Sequence, residues 1–178
     1  LAITYSHPEW IVSAYFDLLR DFEEVRALLE ANNTPAKPTF VTWPGRSEIS
    51  EFHELGAVKT IHSPYGFRAD VTPSALEAVR HRRAGVQDEG SQLVASVFAQ
   101  AAAEKSSWLD LCAGPGGKAA LLAAIAGQGG HRFVANEISQ IRADLVKQVV
   151  GTHEVWVGDA REIATRGEAF DAILADVP

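Results

Sequence analysis

One stretch constrains this chain more than any other: Ser107-Trp108-Leu109-Asp110-Leu111-Cys112-Ala113-Gly114-Pro115-Gly116-Gly117-Lys118. It reads as a buried strand, a glycine-rich turn and a helix start. The apolar run Trp108, Leu109, Leu111 leads in, and Ala119-Ala120-Leu121-Leu122-Ala123-Ala124-Ile125-Ala126 follows with strong helix formers. Glycine lets the backbone turn sharply and approach a ligand with no side chain between. The helix behind the turn points free N–H groups and a positive dipole end back at it, which suits an anionic or carboxylate-bearing ligand.

Three nucleotide-type loops compete for this stretch. A phosphate-cradling P-loop needs Gly-x-x-x-x-Gly-Lys-Ser/Thr. Gly117-Lys118 is present, but Cys112 replaces the first Gly and Ala119 the Mg-binding hydroxyl. A dinucleotide fingerprint needs Gly-x-Gly-x-x-Gly; Gly114-Pro115-Gly116 opens it and Ala119, tolerated there, ends it. The third pattern is an S-adenosylmethionine loop, with an acid (Asp110) before the turn and Gly-x-Gly within it. A tight turn with no ligand is the fourth reading.

At 178 residues the chain is one domain or two small ones. Hydrophobic content of 47% and charge of 22% belong to a globular protein with a real core. No apolar run approaches the roughly 18 residues of a membrane span, and the N-terminus shows no signal pattern. A single cysteine excludes an internal disulfide framework and fits a reducing cytoplasm. A net charge of −7 argues against nonspecific nucleic-acid binding. No metal site is expected. The absence of Met, and an end just after a strand-like run, suggest a fragment of a longer protein.

In the first part, Pro8 suits a first helical turn. Trp10, Ile11, Ala14, Tyr15, Leu18, Leu19 and Phe22 recur at helical spacing. Val25, Leu28 and Leu29 continue the stripe toward Asn32-Asn33, and it reads as core packing. Pro35 and Pro38 break the chain. Thr39–Trp43 is a strand, Glu48–Leu55 a short helix, and Val58–His62 and Gly66–Val71 are short strands around a Ser63-Pro64-Tyr65-Gly66 turn. These form a small α+β unit. Arg80-His81-Arg82-Arg83 is the only basic cluster. Arg80, Arg82 and Arg83 are candidate phosphate contacts, weighed against a solvated face or hinge. Asp88 is a natural N-cap for a helix whose apolar face is Leu93, Val94, Val97, Phe98 and Ala101. Gln87 and Ser91 face a ligand in one reading and serve capping or the surface in the other.

After the glycine turn, strands alternate with helices: Arg132–Ala135, a helix over Ser139–Val149 with Ile141, Leu145, Val146 and Val149 inward, Glu154–Val157, and Phe170–Ala175. That alternation predicts a parallel sheet with right-handed crossovers. Asp110, Glu137, Asp159 and Asp176 fall at successive strand ends, where open α/β sheets bind ligands. Four acids together would repel one another without a polar ligand. Glu137 suits two ribose hydroxyls, Asp159 an adenine amino group, and Asp176 the reacting group. This pattern does not separate NAD from S-adenosylmethionine.

Asp110 through Lys118 resembles motif I of the NOL1/NOP2/Sun (RsmB-like, Sun or Fmu) RNA cytosine-5 methyltransferases. Val86-Gln87-Asp88-Glu89-Gly90-Ser91-Gln92-Leu93 resembles the Gln-Asp-x-x-Ser-Gln segment before that motif. Ser6-His7-Pro8-Glu9-Trp10 and Glu30-Ala31-Asn32-Asn33 resemble the start of the catalytic part, and Ala175-Asp176-Val177-Pro178 the first half of motif IV.

The resemblance implies a Rossmann-like S-adenosylmethionine-dependent methyltransferase sheet, incomplete, over residues 85–178. It implies N-terminal helices and a small α+β RNA-recognition-like lobe over 1–84. Cys112, Ala113, Gly114, Pro115, Gly116, Gly117 and Lys118 would line the cofactor, Glu137 the ribose and Asp159 the adenine. Asp176 would lie beside methyl donor and base. The substrate would be RNA, a ribosomal RNA by expectation. Gly114 stands where Ala is commoner in the family, Ala119 where Thr is, and Glu137 where Asp is. The family's two cysteines, one attacking C6 of cytosine and one aiding product release, follow the motif IV proline. No catalytic residue is therefore expected within this chain, which should not methylate RNA alone. Another S-adenosylmethionine-dependent methyltransferase, an NAD-dependent oxidoreductase and a non-enzymatic RNA-binding module remain alternatives.

Overall fold

The computed structural model describes residues 1–35 and 37–177; the motif IV Pro178 lies outside them. The chain divides into two compact units, Leu1–Lys37 and Pro38–Pro178.

The first unit is a helix pair, α1 (Glu9–Leu19) and α2 (Phe22–Asn33). The apolar spacing runs through both, yet the backbone does not. Arg20 turns left-handed (φ 55°) and donates its N–H to the Phe16 carbonyl, ending α1. Asp21 then caps α2, accepting from the Glu23 and Glu24 N–H groups at 2.8 and 2.9 Å. The stripe is core only in α2, where Val25 and Leu29 are buried. Helix α1 buries no residue, and Trp10 and Leu18 stay exposed, against the expectation from spacing.

The second unit holds two sheets. The first is antiparallel, in the order β2 (Val58–Lys59), β3 (Gly66–Arg68), β1 (Thr39–Thr42), β4 (Ala84–Val86). The junction expected at 84–85 thus falls inside β4. Phe40 pairs with Phe67 across β1 and β3, and their rings stack at 5.2 Å. Phe52, from a 3-10 turn over Ile49–Leu55, stacks on Phe67 at 4.6 Å. Successive strand residues face opposite ways. Phe40 therefore joins this small core while Val41 joins the larger one. The four-residue helix α3 (Glu77–Arg80) leads into β4.

The second sheet is wholly parallel, in the order β7 (Glu154–Val157), β6 (Arg132–Glu137), β5 (Ser107–Asp110), β8 (Ala172–Leu174). In chain order that is third, second, first, fourth, so the winding reverses between β5 and β8. The ligand crevice of such open sheets lies there, outside the carboxyl ends of the strands. Helices α4 (Glu89–Ala101), α5 (Gly117–Gly129) and α6 (Gln140–Lys147) complete the unit. Helix α5 is buried along most of its length. Trp108 anchors β5, its Nε1 donating to the Ala102 and Lys105 carbonyls at 3.1 and 3.0 Å.

Two helix faces differ from the sequence reading. Helix α4 buries Gln92, Ala95, Ser96 and Ala99, because small side chains permit close packing on α5. Leu93, Val94, Val97 and Phe98 instead line an open apolar groove with Leu174. In α6 the buried residues are Ala143 and Val146, while Ile141 is 78% exposed and Leu145 faces outward.

Within this unit the small sheet is fastened to the parallel one. Arg46 donates to the Val149 carbonyl at 2.6 Å, and Arg82 to that of Gln148 at 3.2 Å. Gln92 of α4 donates to the Phe40 and Gln87 carbonyls and accepts from the Ser63 hydroxyl.

Candidate functional site

The turn after β5 folds as its glycines dictate. Gly116 takes φ +118°, which L side chains rarely adopt, and a Cβ there would press on Val146 and Val149 of the α6 region. Gly116 therefore shapes the turn and is not among the residues lining the two cavities described next. Gly114, after which the peptide to Pro115 is cis, admits the Glu137 carboxylate into the space a methyl group would take.

Two cavities open at the carboxyl ends of the strands. One, of about 280 Å³, is lined by Gln87, Asp88, Ser91, Asp110, Cys112–Pro115, Gly117, Lys118 and Asp176. The other, of about 550 Å³, includes Cys112, Gly114, Asn136, Glu137, Ile138, Arg142, Asp159, Arg161 and Asp176. They share Cys112, Gly114 and Asp176, so together they form a two-part cleft over the winding reversal. The structure brings all four strand-end acids to this cleft.

Their repulsion is not left for a ligand to relieve, as the sequence suggested. Three acids carry a cation of their own. Glu137, 3% exposed, accepts from the Gly114 N–H at 3.0 Å and the Ser139 N–H at 2.8 Å, and pairs with Arg142 at 2.7 Å. Asp159 pairs with Arg161, whose guanidinium and backbone N–H hold its carboxyl down at about 2. Asp176 pairs with Lys118 at 2.7 Å. Asp110 carries no such partner, and burial pushes its carboxyl up to about 7; Asp176 and Glu137 add to the rise, against the Cys112 N–H and Lys118. Burial and the acids Asp110, Glu137 and Asp176 also push the Cys112 thiol up. It is thus a poor thiolate at neutral pH.

Arg142 and Arg161 were not legible as site residues, since nothing in the sequence marks which bases face the acids. Asn136 was missed too. Its Nδ2 donates to the Leu111 and Gly158 carbonyls, tying β5 and β7 ends together, while its buried Oδ1 has no partner. Gln87 is not a capping or surface residue: it is buried and lines the smaller cavity. The basic cluster lies apart from the cleft. Arg83 pairs with Glu51 at 2.6 Å and donates to the Arg46 carbonyl, so it serves packing of the small sheet. Among the described residues no His/Cys/Asp/Glu group could hold a metal ion, and no helix is long and apolar enough to cross a membrane.

Residues 97–178 match the family model of the 16S rRNA methyltransferase RsmB/F. "Putative methyltransferase Rv1407" of Mycobacterium tuberculosis is 37% identical over 187 residues, covering 99% of this chain and 40% of that protein. Ribosomal RNA small subunit methyltransferase B of Vibrio cholerae is 29% identical over 193 residues, covering 98% and 42%. The chain thus spans about 40% of the length of the curated relatives it matches. The crystal structure of PH0851 superposes with a TM-score of 0.73 at 19% identity, over 99% of this chain and 42% of that one, and shows the same fold. The segment that carries the glycine turn and all four strand-end acids is thus the part of this chain that matches the RsmB/F methyltransferase family.

Proposed function

We propose that this chain supplies the S-adenosylmethionine site of an enzyme that methylates C5 of a cytosine in ribosomal RNA. The observation that carries the reading is the two-part cleft at the winding reversal, with an acid at each strand end and the glycine turn between its halves. Its shape and donors fit that cofactor. The larger half, with Glu137, Ile138, Asn136 and Asp159, suits an adenosyl group: Glu137 at the ribose, Asp159 at the adenine amine, Ile138 against the ring. The smaller half, beside the start of α5, suits a charged amino-acid tail. Cys112, Ala113, Gly114, Pro115, Gly117 and Lys118 line the tail side, and Gly116 holds the turn. Asp176, common to both halves, stands where they meet and would lie beside the transferable methyl.

When bound, the cofactor supplies an electrophilic methyl group. Attack on it by cytosine C5 requires a thiolate added at C6. Cys112 does not fit that part, because it lines both halves of the cofactor cleft with its thiol pushed up. By the resemblance, the nucleophile would be the second of the family's two cysteines, further on than the one that follows the motif IV proline and aids product release. The chain's own residues bind, orient and shield. Arg80 alone of the basic cluster is retained as an RNA phosphate contact, since Arg82 and Arg83 are used within the fold.

Calorimetry with S-adenosylhomocysteine and with NAD tests the reading. Binding of the first and not the second is expected. NAD binding without the other would replace it with the oxidoreductase alternative. RNA affinity with no cofactor binding, falling steeply with salt, would replace it with the binding-module alternative.

A further inference from the structure

Gln87 has no role in the fold that uses its side chain. Its backbone is fixed at the end of β4: the N–H donates to the Thr39 carbonyl at 3.0 Å, and its carbonyl accepts from Gln92 at 2.9 Å. The side chain is 7% exposed as a residue, and both its Nε2 and Oε1 are buried without a hydrogen-bond partner. A buried amide lacking both partners carries its full desolvation penalty. Leucine would fill the same volume without it. The amide sits beside the first residue of α5, where a Cβ on Gly117 would lie 3.8 Å from Nε2, and it lines the smaller half-cleft with Asp110, Lys118 and Asp176.

The charge around it points to one ligand chemistry. The half-cleft offers a helix start for a carboxylate, and the carboxyl groups of Asp110 and Asp176 for a cation. An α-amino acid head carries both an ammonium donor and a carboxylate acceptor. One amide satisfies both at once, Oε1 accepting from the ammonium and Nε2 donating to the carboxylate. We infer that Gln87 is a binding residue for the zwitterionic amino-acid head of the methyl donor. This rests on the cofactor reading above. It also explains why a polar residue is kept in a pocket wall where the fold gives it nothing.

The test compares Gln87→Leu and Gln87→Ala with the unaltered chain, by calorimetry, against S-adenosylhomocysteine and 5′-methylthioadenosine. The second ligand has the adenosyl thioether and no amino-acid head. Loss of charge-assisted hydrogen bonds should weaken S-adenosylhomocysteine about tenfold or more, with 5′-methylthioadenosine within about twofold. Thermal melts without ligand should show Gln87→Leu as stable as the parent or more so, which a merely structural glutamine would not. Equal weakening of both ligands, unchanged S-adenosylhomocysteine affinity, or a lowered melting temperature in Gln87→Leu would overturn the inference and leave the cofactor reading standing. If the unaltered chain binds neither ligand, the cofactor reading falls and this inference with it.

Discussion

Gly114 and Glu137 share one volume. The Glu137 carboxylate accepts the Gly114 N–H at 3.0 Å, and a Cβ on residue 114 would overlap that same carboxylate. Gly at 114 and Glu at 137 thus complement each other: the acid reaches into the space that a methyl group at 114 would take. Gly114→Ala alone should cost about 1–3 kcal/mol as local overpacking. Glu137→Asp alone should cost about 1 kcal/mol through weakened N–H bonds. The double variant should be more stable than the sum predicts by about 1 kcal/mol, measured in a urea denaturation cycle. Strict additivity would refute the complementarity.

Asp110 sets a pH dependence whose sign follows from its burial. Its folded-state carboxyl titrates at about 7, above the roughly 3.9 of an unfolded chain. Between those values the folded state holds a proton that the unfolded state has lost. Its contribution to stability is therefore whole below about pH 4 and falls as pH rises to about 7. The groups facing it are Asp176 and Glu137, which raise the value, and Lys118, which lowers it. Asp110→Asn removes the titration. The variant should gain on the parent steadily between about pH 4.5 and 7 and hold its lead above that. Denaturant midpoints across this window check it; a constant gap would sink the assignment.

The strands of the parallel sheet were legible because each apolar run ends at an acid or a turn residue, and their parallel direction follows from alternation; β4 of the small sheet was not, since Ala84-Gly85-Val86 carries no run of β-formers. What was not legible depends on partners distant in sequence or on local geometry without a marker. Arg142 meets Glu137 only because α6 starts directly after β6. The repulsion among strand-end acids was a sound inference about charge, yet Lys118, Arg142 and Arg161 answer it within the protein. The α4 reading assumed that the largest apolar side chains face the core. Close packing on α5 selects Ala95 and Ala99 instead and leaves Val94 and Val97 outside. The break between α1 and α2 rests on Arg20 turning left-handed, where the sequence shows neither Gly nor Pro.

Gln92 is the polar fastener between α4 and the small sheet. It is fully buried, donates to the Phe40 and Gln87 carbonyls at 3.2 and 2.9 Å, and accepts from the Ser63 hydroxyl. Gln92→Leu keeps the volume and strands those partners. It should destabilise by about 2–3 kcal/mol, since each buried group left unpaired costs about 1–3 kcal/mol. Gln87→Leu, a residue away from any such duty, should not. Urea midpoints of the two variants side by side measure the contrast; similar losses would contradict it.

Arg142 covers the charge of a nearly inaccessible Glu137 from a half-exposed position. Removing the cation leaves that carboxylate with only the Gly114 and Ser139 N–H groups. Breaking a buried pair from one side costs about 3–5 kcal/mol when the remaining charge is uncompensated. The two backbone donors and Arg142's solvent contact reduce this, so Arg142→Ala should cost about 1–3 kcal/mol. Glu137→Gln in the same background removes the stranded charge and should recover part of the loss, because a neutral amide is cheaper to bury than a carboxylate. Denaturation of the single and double variants at moderate salt tests this. If Arg142→Ala leaves stability unchanged, the ion pair is a surface contact and not the counter-charge of the buried acid.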